Sequence, residues 1–167
     1  MLPILREVLA PEDVLVSDVG SHKMAIAQNY PTYEPNTCII SNGFASMEIS
    51  VLGGVAADLA IDESVVAGIG DGGFMMNAAE IETATRMGRE FTIVLFNDDN
   101  YRLITKHQGE HTGDSFGTRL TNPDFVQFAR SFGIDACRPE SAGELRERLR
   151  DAAEGGMSLV EGPVGDQ

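Results

Sequence analysis

The sequence predicts an α/β protein: a single-domain parallel sheet with helices on both faces. Three observations carry that prediction. Short apolar runs alternate with helix-like segments along the whole chain, the pattern of repeated βα units. Runs such as Val65-Val66-Ala67-Gly68-Ile69 and Phe91-Thr92-Ile93-Val94-Leu95-Phe96 read as buried strands. Polar residues follow those runs at once, with Asp18, Asn42, Asp71 and Asp98 all falling at carboxyl ends of strands, the edge where open α/β sheets bind ligands.

Taken in order, a short amphipathic helix is expected over 4–9, a strand at 14–17 and a helix over 21–30. A strand at 38–40 leads into a helix of small residues from 47 to 60. Strand 64–69, helix 75–87 and strand 91–97 follow. In helix 75–87 the spacing of Met76, Ala79, Ile81, Ala84 and Met87 points them inward. Residues 105–121 are polar and contain glycine, and read as a loop over the sheet edge. Helices near 124–131 and 142–153 and a strand at 158–161 complete the pattern.

At 167 residues the chain is expected to form one domain, 1–167, with a core that needs no staples. A formal charge of −14 argues against a nucleic-acid backbone or an anionic membrane as partner. No run approaches a membrane span, and the stretch from Met1 to Glu7 is too short and too early in its charge for a signal peptide. Cys38 and Cys137 stand far apart and read as small buried hydrophobes in a reducing compartment, so a cytoplasmic location is expected.

The chemistry concentrates in about thirty residues. In Gly70-Asp71-Gly72-Gly73 the glycines permit a sharp strand-to-helix turn, and the amides of Gly72 and Gly73 open a helix where an anion is favoured. Asp71 alone could equally be a plain helix N-cap. Asp98, 27 positions later, ends the next strand. Two carboxylates with the Asn100 carbonyl form an all-oxygen set suited to Mg²⁺, which keeps water and phosphate as its other ligands. Asp99 reads as part of a solvated turn. His107 and His111 read as exposed loop residues, and Arg146, Arg148 and Arg150 as a solvated helix face.

Gly70-Asp71-Gly72, then 24 residues, then Asn97-Asp98 resembles the thiamine diphosphate-binding motif of the thiamine-dependent decarboxylases and synthases. Asp18-Val19-Gly20-Ser21-His22-Lys23-Met24, Ser41-Asn42-Gly43-Phe44-Ala45-Ser46-Met47 and Thr121-Asn122-Pro123-Asp124-Phe125 are similar to large subunits of acetolactate synthase. The likeness is to their carboxyl-terminal, diphosphate-binding domain only. It implies a thiamine diphosphate-binding fold, with Asp71, Asp98 and the Asn100 carbonyl as Mg²⁺ ligands. Gly72, Gly73, Ser21 and His22 would contact the diphosphate, with Gly20 and Tyr101 in the same cofactor-binding set. The Ala45 carbonyl would accept from the cofactor's 4′-amino group, and Met47 would wedge the cofactor into its bent form. His22 as a helix-start residue and Met47 as ordinary core are the plain alternatives.

The resemblance further implies decarboxylation of a 2-oxo acid of the pyruvate class and carboligation, as in branched-chain amino acid biosynthesis. Four positions depart from the family pattern: Glu48 and Arg102 where glycine is usual, Leu52 where proline is, and Ala25 where tryptophan is. In the family the activating glutamate comes from a pyrimidine-binding domain, normally of another subunit, and no segment here reads as that domain. A partner domain or subunit in a homo- or hetero-oligomer is therefore expected. Alternatives are one subunit of a two-chain 2-oxo acid decarboxylase, such as sulfopyruvate decarboxylase, or a degenerate non-catalytic copy. Apolar surface exposed by the missing domain predicts self-association of the isolated chain.

Overall fold

A computed structural model describes residues 1–163. The elements are α1 (Leu2–Val8), β1 (Val14–Ser17), α2 (Ser21–Asn29), β2 (Cys38–Ile40), α3 (Ile49–Asp58), β3 (Val65–Gly70), α4 (Asp71–Asn77), α5 (Glu80–Arg86), β4 (Thr92–Asn97), α6 (Arg102–Thr112), α7 (Phe125–Arg130), β5 (Asp135–Cys137), α8 (Ala142–Ala153) and β6 (Ser158–Pro163). The six strands form one sheet in the order β2-β1-β3-β4-β6-β5, and every pairing is parallel. That is the expected fold class.

Strand alternation divides the core in two. Val14, Val16, Val65, Ala67, Ile69, Ile93, Leu95 and Leu159 face a cluster completed by residues of α3, α4, α5 and α7. Leu15, Val66, Val94, Phe96 and Val160 face the other, completed by α1, α2 and α8. Helices therefore cover both faces, and the central strands must be apolar throughout. Phe74, fully buried in α4, meets Phe125 and Phe128 edge-on at 5.5 and 6.0 Å between ring centroids. Truncating such a residue to alanine costs about 3–5 kcal/mol, so the turn carrying Asp71 is pinned from below.

Three local expectations are corrected. The 75–87 helix starts at Asp71 and breaks into α4 and α5, and its buried apolar side chains are Phe74, Ala78, Ile81 and Ala84; Met76, Ala79 and Met87 face outward. The loop expected over 105–121 is helical as far as Thr112, in a helix with no buried residue and hence no apolar stripe to read. Strand β5 was not expected, being three residues at the sheet edge. Cys38 and Cys137 are half-buried against the second core cluster and unpaired, and burial raises both thiol pKa values. His107 and His111 are exposed, as expected.

Candidate functional site

The strand order reverses direction between β1 and β3: from β1 the chain goes outward to β2, then returns to place β3 on the other side. A crevice opens at such a switch point. Asp18 follows β1, Asp71 follows β3 and Asp98 follows β4, so three carboxylates line one end of the sheet. Topology alone brings them together across 80 residues of sequence.

On the β3–β4 side, Asp71 is 2% exposed and its Oδ2 accepts from the Asn122 side-chain amide at 2.6 Å. Burial raises the Asp71 pKa, the Asn122 bond opposes the rise, and the charges of Asp98 and Asp99 add to it. The Asn122 amide also reaches Asp99 Oδ1 at 2.8 Å and Asn97 Oδ1 at 3.3 Å. Asn97 in turn donates to Glu161 Oε1 at 2.7 Å, and Arg138 donates to Glu161 Oε2 at 2.8 Å. Glu161 is 2% exposed, and a buried carboxylate persists only when paired in this way. A polar chain thus runs from the surface at Arg138 to Asp71.

Asp98 accepts from the Asn100 amide at 3.2 Å and from Arg102 Nε at 2.5 Å. The Asn100 carbonyl accepts the Arg102 amide at 2.8 Å, and the Asn100 side chain accepts the Thr105 hydroxyl at 2.6 Å. A Cβ on Gly72 would overlap the ring of Tyr101, and one on Gly73 would overlap the Asp18 carboxylate. Glycine at both positions is therefore what lets α4 start against its neighbours.

On the β1 side, Asp18 is fully buried and its Oδ1 accepts the Ile49 amide at 2.9 Å at the head of α3. Its Oδ2 has no hydrogen-bond partner among the described residues. Burial raises its pKa, while the amides of Glu48, Val19, Ile49 and Ser50 pull it back. His22, in the first turn of α2 after Gly20 and the half-buried Ser21, stacks on Phe96 at 5.4 Å between centroids, with Nε2 unpartnered among the described residues. Burial lowers its pKa to about 4, against a hydrogen bond to the Asp18 backbone that raises it, so at neutral pH the ring is uncharged.

Ala45, Glu48 and Asp99 have positive φ, at 50°, 78° and 52°. The left-handed backbone at Glu48 explains why glycine would suit that position. Ala45 and Met47 are half-buried in the segment ahead of α3.

The residues fit the expected groups. Asp71, Asp98 and the Asn100 carbonyl offer oxygen donors only, and the mutual repulsion of the acids favours a cation. Among the described residues no cluster of three or more His, Cys, Asp or Glu is arranged to hold a metal; the expected set has two carboxylates and one carbonyl.

The family model for the thiamine pyrophosphate enzyme, C-terminal TPP binding domain, matches residues 18–162. The chain belongs to that family. This TPP-binding domain is 33% identical over 161 residues to acetolactate synthase of Bacillus subtilis, covering 96% of this chain and 27% of that protein. It is 32% identical over 141 residues to the acetolactate synthase isozyme 1 large subunit of Escherichia coli, covering 83% of this chain and 25% of that protein. A solved structure of a thiamin diphosphate-dependent enzyme from Mycobacterium smegmatis shares the fold, with a TM-score of 0.80 at 23% identity, over 98% of this chain and 31% of that one. The TPP domain spans about a quarter of the length of the curated relatives it matches. No helix among the described residues is long and apolar enough to cross a membrane.

The sequence motifs thus meet at one sheet end. Sequence reasoning missed Asn122, which bridges Asp71 and Asp99, and the Glu161–Arg138 support behind Asn97. The signal for Asn122 was present in Thr121-Asn122-Pro123 but named no role, and Glu161 looked like the polar end of a strand.

Proposed function

We infer that this chain is the TPP- and Mg²⁺-binding part of an acetolactate synthase-like enzyme, which decarboxylates a 2-oxo acid of the pyruvate class and joins the product to a second 2-oxo acid. The observation that carries the reading is the placement of Asp71 and Asp98 at the ends of adjacent strands, with Gly72 and Gly73 heading α4 between them. Identity of about a third to acetolactate synthase supports the reaction class.

In this reading Asp71, Asp98 and the Asn100 carbonyl hold the metal. The amides of Gly72 and Gly73, with Gly20, Ser21 and neutral His22, hold the diphosphate, and Tyr101 supports Gly72. The Ala45 carbonyl orients the aminopyrimidine and Met47 enforces the bend. When bound, the cofactor supplies the electron sink. A pyrimidine-binding domain or subunit beyond these residues supplies the activating glutamate, in an oligomer that completes the site.

Calorimetric titration of TPP with Mg²⁺ into the chain, beside Asp71→Ala, tests the reading. Metal-dependent heat that is lost in the variant is the expected result; equal heat in both sinks the ligand assignment. A second reading, a copy that does not catalyse, is favoured by Arg102 already pairing Asp98. Adding a pyrimidine-binding partner separates the two, since only the first yields carboligation.

A further inference from the structure

The residue that engages two of the three expected metal ligands is Arg102. Its Nε lies 2.5 Å from Asp98 Oδ2, and its amide donates to the Asn100 carbonyl at 2.8 Å. Exposed pairs four residues apart on a helix contribute little and are screened by water. This pair differs, because the Asp98 side chain is 7% exposed and that of Arg102 29%. Two further carboxylates crowd the same place, since both Asp98 and Asp99 act on Asp71. A guanidinium that never deprotonates therefore balances part of the negative charge there.

We propose that Arg102 is a built-in counter-cation of the acidic pair, and that a divalent metal loads by displacing it from Asp98. The inference rests on Asp71 and Asp98 being the metal ligands. Loading is then an exchange of one cation for another: the carboxylate leaves the guanidinium and takes the metal, while the guanidinium swings into solvent on the outer side of α6. The chain holds its acidic pair together without metal, at the cost of metal affinity. The arrangement moves half-occupancy to a higher free divalent-ion concentration than a charge-unopposed site would need, without changing the steepness of the binding curve.

The test is a Mn²⁺ titration of the full chain, with free ion read by electron paramagnetic resonance. Wild type is compared with Arg102→Met and Arg102→Gln, which keep much of the stem and remove the charge, and with Arg102→Lys, which keeps a cation. Far-ultraviolet circular dichroism checks each fold. The expected result is at least tenfold tighter Mn²⁺ binding by the Met and Gln variants, about 1.4 kcal/mol, with the Lys variant within threefold of wild type. Equal affinity in wild type and both neutral variants, or no saturable binding by the neutral variants, overturns the proposal. So does a Lys variant as tight as the Met variant, because shape rather than charge would then be responsible. Adding Asp71→Ala to Arg102→Met keeps the two readings apart. Tight binding that survives it places the ion elsewhere and sinks the ligand assignment; binding abolished by it, with no effect of Arg102, sinks only the counter-cation.

Discussion

Around Asp71 and Asp98 each carboxylate has a donor on it, from Asn122 and from Arg102, whereas around Asp18 and His22 the buried atoms Asp18 Oδ2, His22 Nε2 and Ser50 Oγ have no hydrogen-bond partner among the described residues. Both regions belong to the same sheet end. A buried polar atom left unpaired costs about 1–3 kcal/mol, so the β1 side carries a deficit that a ligand with donors and acceptors can relieve. The β3–β4 side carries none among the described residues, and in the proposed exchange a cation arriving there replaces the Arg102 contact on Asp98. The acidic half is closed by its own side chains, and the half beside α2 and α3 is the unsatisfied one.

The strongest way to break this contrast is to remove the acids. Asp98→Ala should abolish Mg²⁺-dependent TPP binding, a loss of a hundredfold or more by calorimetry, while leaving far-ultraviolet circular dichroism unchanged. Retained metal dependence would show that the acidic half is structural only.

On the other side, His22 titrates against its burial. Its folded pKa of about 4 lies below the ordinary 6.5, so the unfolded chain binds the extra proton first. Stability is full above about pH 6.5 and falls as pH drops toward 4, by up to about 3 kcal/mol. Urea unfolding at pH 7 and pH 5 reads the slope, and His22→Leu should flatten it. An unchanged slope would move the effect to another group.

Asp71 gives the opposite sign. With its folded pKa raised, the native state holds the proton more tightly, so stability is greatest below the ordinary 3.8 and declines as pH climbs through the raised value. Asp71→Asn should therefore stabilise the metal-free chain at pH 7, on the order of 1 kcal/mol or roughly 2–4 °C in Tm, while losing metal binding. A lower Tm would mean that the Asn122 bond outweighs the repulsion. Smallest is Glu48→Gly, which relieves a left-handed residue at φ 78° and should add about 0.5–1 kcal/mol in thermal unfolding. Destabilisation there would point to an unrecognised contact of the Glu48 side chain.

Much of this arrangement was legible beforehand. Alternating apolar runs identified five of the six strands, and the interval from Asp71 to Asp98 identified the paired strand ends. The strand β5 escaped because three residues with an exposed Asp135 carry no period. Helix α6 escaped because nothing on it is buried. The closure of the acidic half also escaped, because it depends on where Arg102 and Asn122 point, and pattern carries residue type rather than direction. Arg102 stood out as an unusual residue; its ion pair with Asp98 needed coordinates.

The Asn122 amide carries two hydrogens and is within reach of three acceptors, on Asp71, Asp99 and Asn97. Its two protons are magnetically inequivalent, and the nitrogen that carries them lies 2.6 Å from the Asp71 carboxylate, which would receive a metal. The side-chain ¹⁵N–¹H pair of this one residue is thus a native spectroscopic label. Its chemical shifts should move on divalent-ion addition, and stay fixed in Asp71→Ala, with no dye or tag attached to the chain.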